Sequence, residues 1–206
     1  MKHSFIIFMI LFFTKLLFAQ GTSTLIDTRD DKTYKTVKIG NQIWMAENLN
    51  YKTDTGCLCY NNDPANCASY GRLYNWKTAL NVCPDGWHLP DSSDFEILAL
   101  FINKQKGPFI KDKGDWLEMG KYLKANISWD NKANGTDDFG FSGLAGGYSN
   151  ESLHDVSMGS FGAWWTKTAL NGDCAGIYYL HSDYKAFYYC QTWIQHSCSV
   201  RCIKNN

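Results

Sequence analysis

The sequence has almost no net charge. Its 206 residues carry 20 basic and 20 acidic side chains, so no cationic surplus exists to neutralise phosphates, and nucleic acid is excluded as the main partner. It has no cysteine before Cys57, which removes lipid attachment just behind an export signal. Its one long apolar run, 5–13, is about half of the roughly 20 residues that span a bilayer, and Lys15 interrupts its extension. No second run follows, so no membrane span is expected once that segment is gone. Paired C-x-x-C spacings are missing and His88, His154, His181 and His196 are scattered, which disfavours a zinc site. No Gly-Lys-Ser/Thr follows Gly140, Gly143, Gly146 and Gly147, so these glycines read as points of close backbone approach rather than a phosphate loop. Without a Gly-x-Ser-x-Gly or another nucleophile at recognisable spacing, His88 reads as a histidine packed beside Trp87, not as a general base. Internal repeats and interdomain linkers are absent too, so residues 20–206 are expected to form one domain.

What is present begins with Met1-Lys2-His3, the apolar run, and Leu17-Phe18-Ala19-Gln20. Together they form a secretory signal peptide over residues 1–19. The remaining 187 residues hold 18 basic and 20 acidic side chains, a formal charge of −2. All eight cysteines lie in that part. Their even number in an exported chain predicts disulfides and a secreted, periplasmic or cell-envelope location. Cys59 and Cys67 sit eight apart around Asn61-Asn62-Asp63-Pro64, a loop that one bridge can close.

The apolar pattern predicts α+β order. Residues 34–39 alternate, Gly40-Asn41 turns the chain, and QIWMAENL continues it, which predicts a hairpin. Residues 72–82 place Leu73, Trp76, Leu80 and Val82 near helical spacing. A second helix follows Asp91 or Ser92 as cap, with Asp94 and Glu96 at its N-terminal end, an apolar stripe of Phe95, Leu98, Phe101 and Ile102, and Gly107-Pro108 as its stop. A third short helix is expected within 116–125. From Asn126 onward glycine, asparagine and aspartate predict loops and short strands, closed by a hairpin of 176–180 with 184–189.

Six segments occur together in order: TVKIGNQIWMAENLNY (36–51), GRLYNW (71–76), VCPDGWHLP (82–90), NGTDDFGFSGLAGGY (134–148), WWT (164–166) and SVRCIK (199–204). They resemble the Fibrobacter succinogenes major paralogous domain, a family of exported bacterial proteins without a settled activity, over nearly all of 27–204. A more distant likeness is to C-type-lectin-like domains and to the formylglycine-generating enzymes that share their fold. That resemblance implies a lectin-like α+β architecture in which the first cysteine pairs with the last, here Cys83 with Cys202. On the chain-entropy model, closing about 120 residues is worth very roughly 4 to 5 kcal/mol. If the terminal hairpin pairs Ile177 with Phe187 and Leu180 with Tyr184, Cys174 falls opposite Cys190 and a cross-strand bridge follows. Cys57 and Cys198 are then left to pair by elimination.

The resemblance implies a binding module for a glycan or a surface protein, met by the long loop region 134–166. Trp164, Trp165 and Trp193 are the candidate aromatic contacts. In a strand, neighbours face opposite sides, so one of Trp164-Trp165 and one of Tyr178-Tyr179 should be buried and the other available. Asp137 and Asp138 are the polar candidates. With Asn134 and Thr136 they offer oxygens to calcium, although Asn-Gly-Thr-Asp is also ordinary turn chemistry and the lectin-like calcium signatures are missing. Two readings compete with a binding module. One is an oxidase like the formylglycine-generating enzymes, which need two reduced cysteines that bind copper; Thr192 and Ser197 stand at those positions here. The other is a purely structural surface protein.

Overall fold

Residues 22–150, 152 and 155–205 are described by the computed structural model; the expected export segment 1–19 lies outside them. The chain opens with β1 (Thr22–Asp27), β2 (Lys32–Ile39) and β3 (Gln42–Met45), all antiparallel. Ile39 pairs with Gln42 across Gly40-Asn41, and Gly40 supplies the left-handed backbone (φ 62°) that the tight turn needs. The hairpin read from the alternation of 34–39 is therefore present.

Next come β4 (Cys57–Leu58), α1 (Pro64–Tyr70), β5 (Leu73–Asn75) and the single turn α2 (Trp76–Ala79). The helix expected over 72–82 is thus mostly replaced by a strand and one turn. Leu73 and Tyr74 are drawn into a ladder by tertiary pairing, which outweighs weak local propensity. After β6 (Trp87–His88), α3 (Ser92–Lys106) forms as its sequence dictates. Asp91 accepts from the backbone of Ser93 and Asp94, and the Asp94 side chain returns a bond to the Asp91 N–H. Phe95, Leu98, Ala99 and Ile102 are its buried face. The third helix shrinks to α4 (Gly120–Leu123), because Asp115–Trp116 is strand β8, paired with β7 (Lys111–Asp112).

The remainder is strand: β9 (Tyr148–Ser149), β10 (Asp155–Val156), β11 (Phe161–Ala169), β12 (Cys174–His181), β13 (Tyr188–Trp193), β14 (Ser197–Ser199) and β15 (Ile203–Lys204). One sheet runs β1-β2-β3-β15-β6. A larger one runs β10-β9-β14-β11-β12-β13, with β5 on the other edge of β14 and β4 beyond it. The architecture is mixed α+β with few helices and small sheets.

Two apolar clusters cover the two faces of the larger sheet. Phe95, Leu98 and Ile102 of α3 pack with Trp44, Phe141, Trp164, Tyr178 and Phe187 on one side. Met45, Leu49, Tyr74, Trp165, Ile177 and Val200 fill the other. Cys83 and Cys202 are bridged, with Cα atoms 5.9 Å apart, and Cys59 is bridged to Cys67.

Cys57, Cys174, Cys190 and Cys198 carry free thiols, which corrects the two remaining expected bridges. The β12–β13 register pairs Ile177 with Cys190 and Cys174 with Trp193, three residues from the expected one. An odd shift sends Cys174 and Cys190 to opposite faces of the sheet. The cause is Phe187, which leaves the hairpin to exchange two backbone hydrogen bonds with Trp116 (both 2.9 Å), so that β13 starts only at Tyr188. Cys57 and Cys198 share a face, but each is paired with Tyr74 from opposite edges of β5. Two strand spacings, about 9.6 Å, separate them, beyond the roughly 7 Å that a disulfide can close.

Candidate functional site

The expected ligand residues do not gather at one place. Trp164 and Trp165 are both 0% exposed. They do alternate faces, but each face of β11 lies under one of the two clusters, so neither ring can meet a ligand. Their N–H groups are committed as well: Trp164 Nε1 donates to Asn48 Oδ1 (2.8 Å) and Trp165 Nε1 to the Tyr74 carbonyl (2.7 Å). Asp137 accepts from the Ser142 N–H and hydroxyl, both at 2.7 Å, and burial pushes its carboxyl above the usual range. Asp138 is paired with Lys106 at 2.5 Å. Burial alone would raise its carboxyl, but Lys106, a hydrogen bond from Thr136 and the nearby Lys121 together hold it below the usual range. Asn134 Oδ1 accepts from the Trp129 N–H, and Thr136 bonds the Lys121 carbonyl through its N–H and hydroxyl. The segment 134–138 is thus a turn whose oxygens serve the protein itself. Trp193 is 55% exposed, on the face of β13 opposite Tyr188.

Asp137 and Trp164 instead border a buried polar hub. Arg201, 0% exposed, donates from Nε and Nη2 to Asn48 Oδ1 (3.2 and 2.6 Å), from Nη1 to the Phe141 carbonyl and from Nη2 to the Ser142 carbonyl. Its guanidinium lies 4.5 Å from the Phe141 ring centroid and 5.5 Å from that of Trp164. Burial lowers the affinity of this group for its proton, and the Asp137 carboxylate works against that. Asn48 completes the hub by donating to the Tyr70 carbonyl and to Ser199 Oγ.

The tyrosine pair behaves as alternation predicts. Tyr178 is 3% exposed, whereas Tyr179 is only partly covered. Tyr179 stacks on Tyr188 of the next strand, with centroids 4.7 Å apart and planes 13° from parallel. On its other flank Phe161 lies at 5.0 Å, and Tyr148 packs edge-on against Phe161 at 5.6 Å. Tyr184, 56% exposed, closes the far end edge-on against Tyr188, with His181 at 5.0 Å, while His196 stands 5.7 Å from Tyr148. Tyr148, Phe161, Tyr179 and Tyr188 on β9, β11, β12 and β13, with Tyr184 from the β12–β13 connection, therefore form a partly exposed aromatic strip. Burial pushes the Tyr179 phenol up to about 12 and raises that of Tyr188, so both keep their protons at neutral pH and can donate hydrogen bonds. Only the adjacent pair at 178–179 marked this strip in the sequence. The other members become neighbours through register, which the sequence does not display.

Where β4, β5, β10 and β14 come together lies a polar cavity of about 400 Å³, lined by Gly56, Cys57, Leu58, Asn62, Asn75, Asp155, Gln195 and Ser197. Gly147 lets this corner close: its φ is 69°, and a Cβ there would fall 2.6 Å from both the Tyr60 ring and the Val156 carbonyl. Among the described residues no group of three or more His, Cys, Asp or Glu side chains is placed to hold a metal ion, and no helix is long and apolar enough to cross a membrane.

No curated protein and no solved structure matches the chain. The family model described as the Fibrobacter succinogenes major domain matches residues 37–204. The six segments that carry the resemblance are tied together by the contacts above: Asn48, Phe141, Ser142, Trp164 and Arg201 in the hub, Tyr74 against Trp165, and Cys83 bridged to Cys202. The chain belongs to the Fibrobacter succinogenes major domain family.

Proposed function

We propose that this protein is an exported binding module, built on a C-type-lectin-like layout, that meets a glycan or a surface protein through its aromatic strip. The observation that carries the reading is the run Tyr148, Phe161, Tyr179, Tyr188 and Tyr184, left partly exposed although the core has ample aromatic material. Partly exposed rings with phenolic donors combine apolar area for the C–H faces of sugars with hydrogen bonds for their hydroxyls. The two disulfides suit an oxidising compartment. The bridge from Cys83, between α2 and β6, to Cys202, just ahead of β15, supports the lectin-like layout. A binding role is favoured over an oxidase because Thr192 and Ser197 stand where that chemistry needs thiols.

The test is a glycan array with the oxidised chain lacking residues 1–19, run with calcium and with chelator, for the parent and for Tyr184→Ala and Tyr179→Ala. Tyr184 is the most exposed ring of the strip, so its loss should weaken binding by about 2 kcal/mol, the size of an aromatic anchor, while the melting temperature holds. Undiminished binding in both variants would remove the strip from the ligand site.

A further inference from the structure

Four neighbouring strands put short polar side chains in one row. Asp155 of β10 pairs with Ser149 of β9, Ser149 pairs with Ser197 of β14, and Ser197 pairs with Asn75 of β5. Residues directly opposite one another in a ladder project to the same face, so these four side chains stand together. Three of them, Asp155, Ser197 and Asn75, line the 400 Å³ cavity, and Asn62 and Gln195 add two further carboxamides. Asn75 Oδ1 is held by the Thr78 N–H in the α2 cap (2.9 Å), and Asp155 Oδ2 accepts from the Asn61 N–H. Two acceptors are left over. Asp155 Oδ1 and Ser149 Oγ are buried without a hydrogen-bond partner among the described residues. A buried, unmatched oxygen costs roughly 1–3 kcal/mol, and two in one row mark a place suited to a donor that the described residues do not supply.

We infer that this cavity is a second, pocket-like subsite for one sugar unit, selective for neutral or amino-bearing rings and closed to acidic ones. The inference rests on the glycan reading above and gives it a ligand class. The volume falls within the range of small-molecule pockets. Its lining residues include one aspartate, Asn62, Asn75, Gln195 and one serine, and no lysine, arginine or histidine. Hydroxyl or ammonium donors match Asp155 Oδ1, whereas a uronate or sulfate would bring like charge onto an unshielded carboxylate. Successive residues of a strand face opposite sides, so Tyr148 and Ser149 put the strip and this row on opposite faces of the sheet, and the cavity is a site separate from the strip.

Cys57 supplies a readout independent of the array, because it is a partly exposed residue of the cavity wall, whereas Cys174 is not among the lining residues. Glucose, galactose, glucosamine and glucuronate are each added to the oxidised chain, and alkylation of the two thiols is followed by mass spectrometry. At least one neutral or amino sugar should slow Cys57 labelling five-fold or more without changing Cys174, and glucuronate should leave both unchanged. Gln195→Ala, an exposed change at the rim, should weaken that protection several-fold. Asp155→Asn should abolish any preference of glucosamine over glucose. Protection by glucuronate equal to that by glucose, or no protection by any of the sugars, overturns the subsite. If the array still shows binding that Tyr184→Ala removes while Gln195→Ala does not alter it, the strip stands and the subsite alone has failed.

Discussion

Arg201 Nη2 donates to Asn48 Oδ1 at 2.6 Å across 153 residues of sequence, and both side chains are buried. The same oxygen accepts from Trp164 Nε1 (2.8 Å), so one carboxamide holds a guanidinium and an indole in the core at once. Asn48→Ala removes that acceptor and leaves a buried charge and a buried N–H short of partners. The expected loss is about 3–5 kcal/mol, read by urea unfolding. Arg201→Met, which removes the charge and keeps much of the volume, should cost less. A loss below 1 kcal/mol for Asn48→Ala would show that the hub is not an energetic centre.

The bridges differ in what they restrain. Cys83–Cys202 closes 119 positions and Cys59–Cys67 only eight. Chain entropy assigns about 5 kcal/mol to the first and about 2.5 kcal/mol to the second. The Cys83→Ala/Cys202→Ala pair should therefore lower the unfolding midpoint distinctly more than Cys59→Ala/Cys67→Ala, under non-reducing conditions. Equal losses would mean that the short bridge acts through the native geometry of the 59–67 segment instead.

The four thiols sort by burial. Cys198 is 1% exposed and burial raises its thiol, and burial pushes Cys190 up to about 11; both therefore hold little reactive thiolate at pH 8. Labelling of the native protein should reach Cys57 and Cys174 first, and Cys190 and Cys198 only on unfolding. Finding no thiols at all would restore four bridges and require a different β12–β13 register.

What the sequence revealed followed its strongest local signals. The Gly40-Asn41 turn, the Asp91 cap and the stripe of α3 were legible because each is settled within a few residues. Trp164 and Trp165 misled for a definite reason: alternation tells which side a ring takes, not whether that side is covered, and both faces of β11 are. Cys174 and Cys190 misled because Phe187 is claimed by Trp116, a partner 71 positions away that no hairpin pattern displays. The row from Asp155 to Asn75 joins four separate short strands, so no window of sequence contains it.

Ser149 offers a trade between stability and binding. Its hydroxyl is fully buried and unmatched among the described residues, so Ser149→Ala should stabilise the ligand-free protein by about 1 kcal/mol. The same change should weaken Cys57 protection by the sugar that gives it, if the hydroxyl takes part in the subsite. Thermal melts and alkylation rates on one preparation read both effects. Destabilisation by Ser149→Ala would show that the hydroxyl is satisfied in the native state.

Alkaline pH should destabilise the protein from the phenol range upward. Burial is the first cause raising Cys190 to about 11, Tyr34 and Tyr179 to about 12, and Cys198, Tyr74, Tyr178, Tyr188 and Tyr189 above their ordinary values. The folded chain keeps these protons at a pH where the unfolded chain has released them, so more protons are bound in the native state and stability falls as pH rises. The stabilisation is complete below the unfolded values, near 9 for thiols and 10 for phenols, and is lost as pH climbs through the folded ones. Lys124 and Arg201 act in the opposite sense, because burial lowers both and the unfolded chain binds their protons more readily. In the thiol range two thiols meet these two cations, and once the phenols join at about pH 10 eight groups against two set the sign. The melting temperature should hold between pH 6 and about 9 and decline above about 10. In Cys190→Ala/Cys198→Ala the decline should be shallower, even though the baseline stability is lower. A melting temperature that rises between pH 9 and 11 would mean that the buried cations outweigh the phenols and thiols.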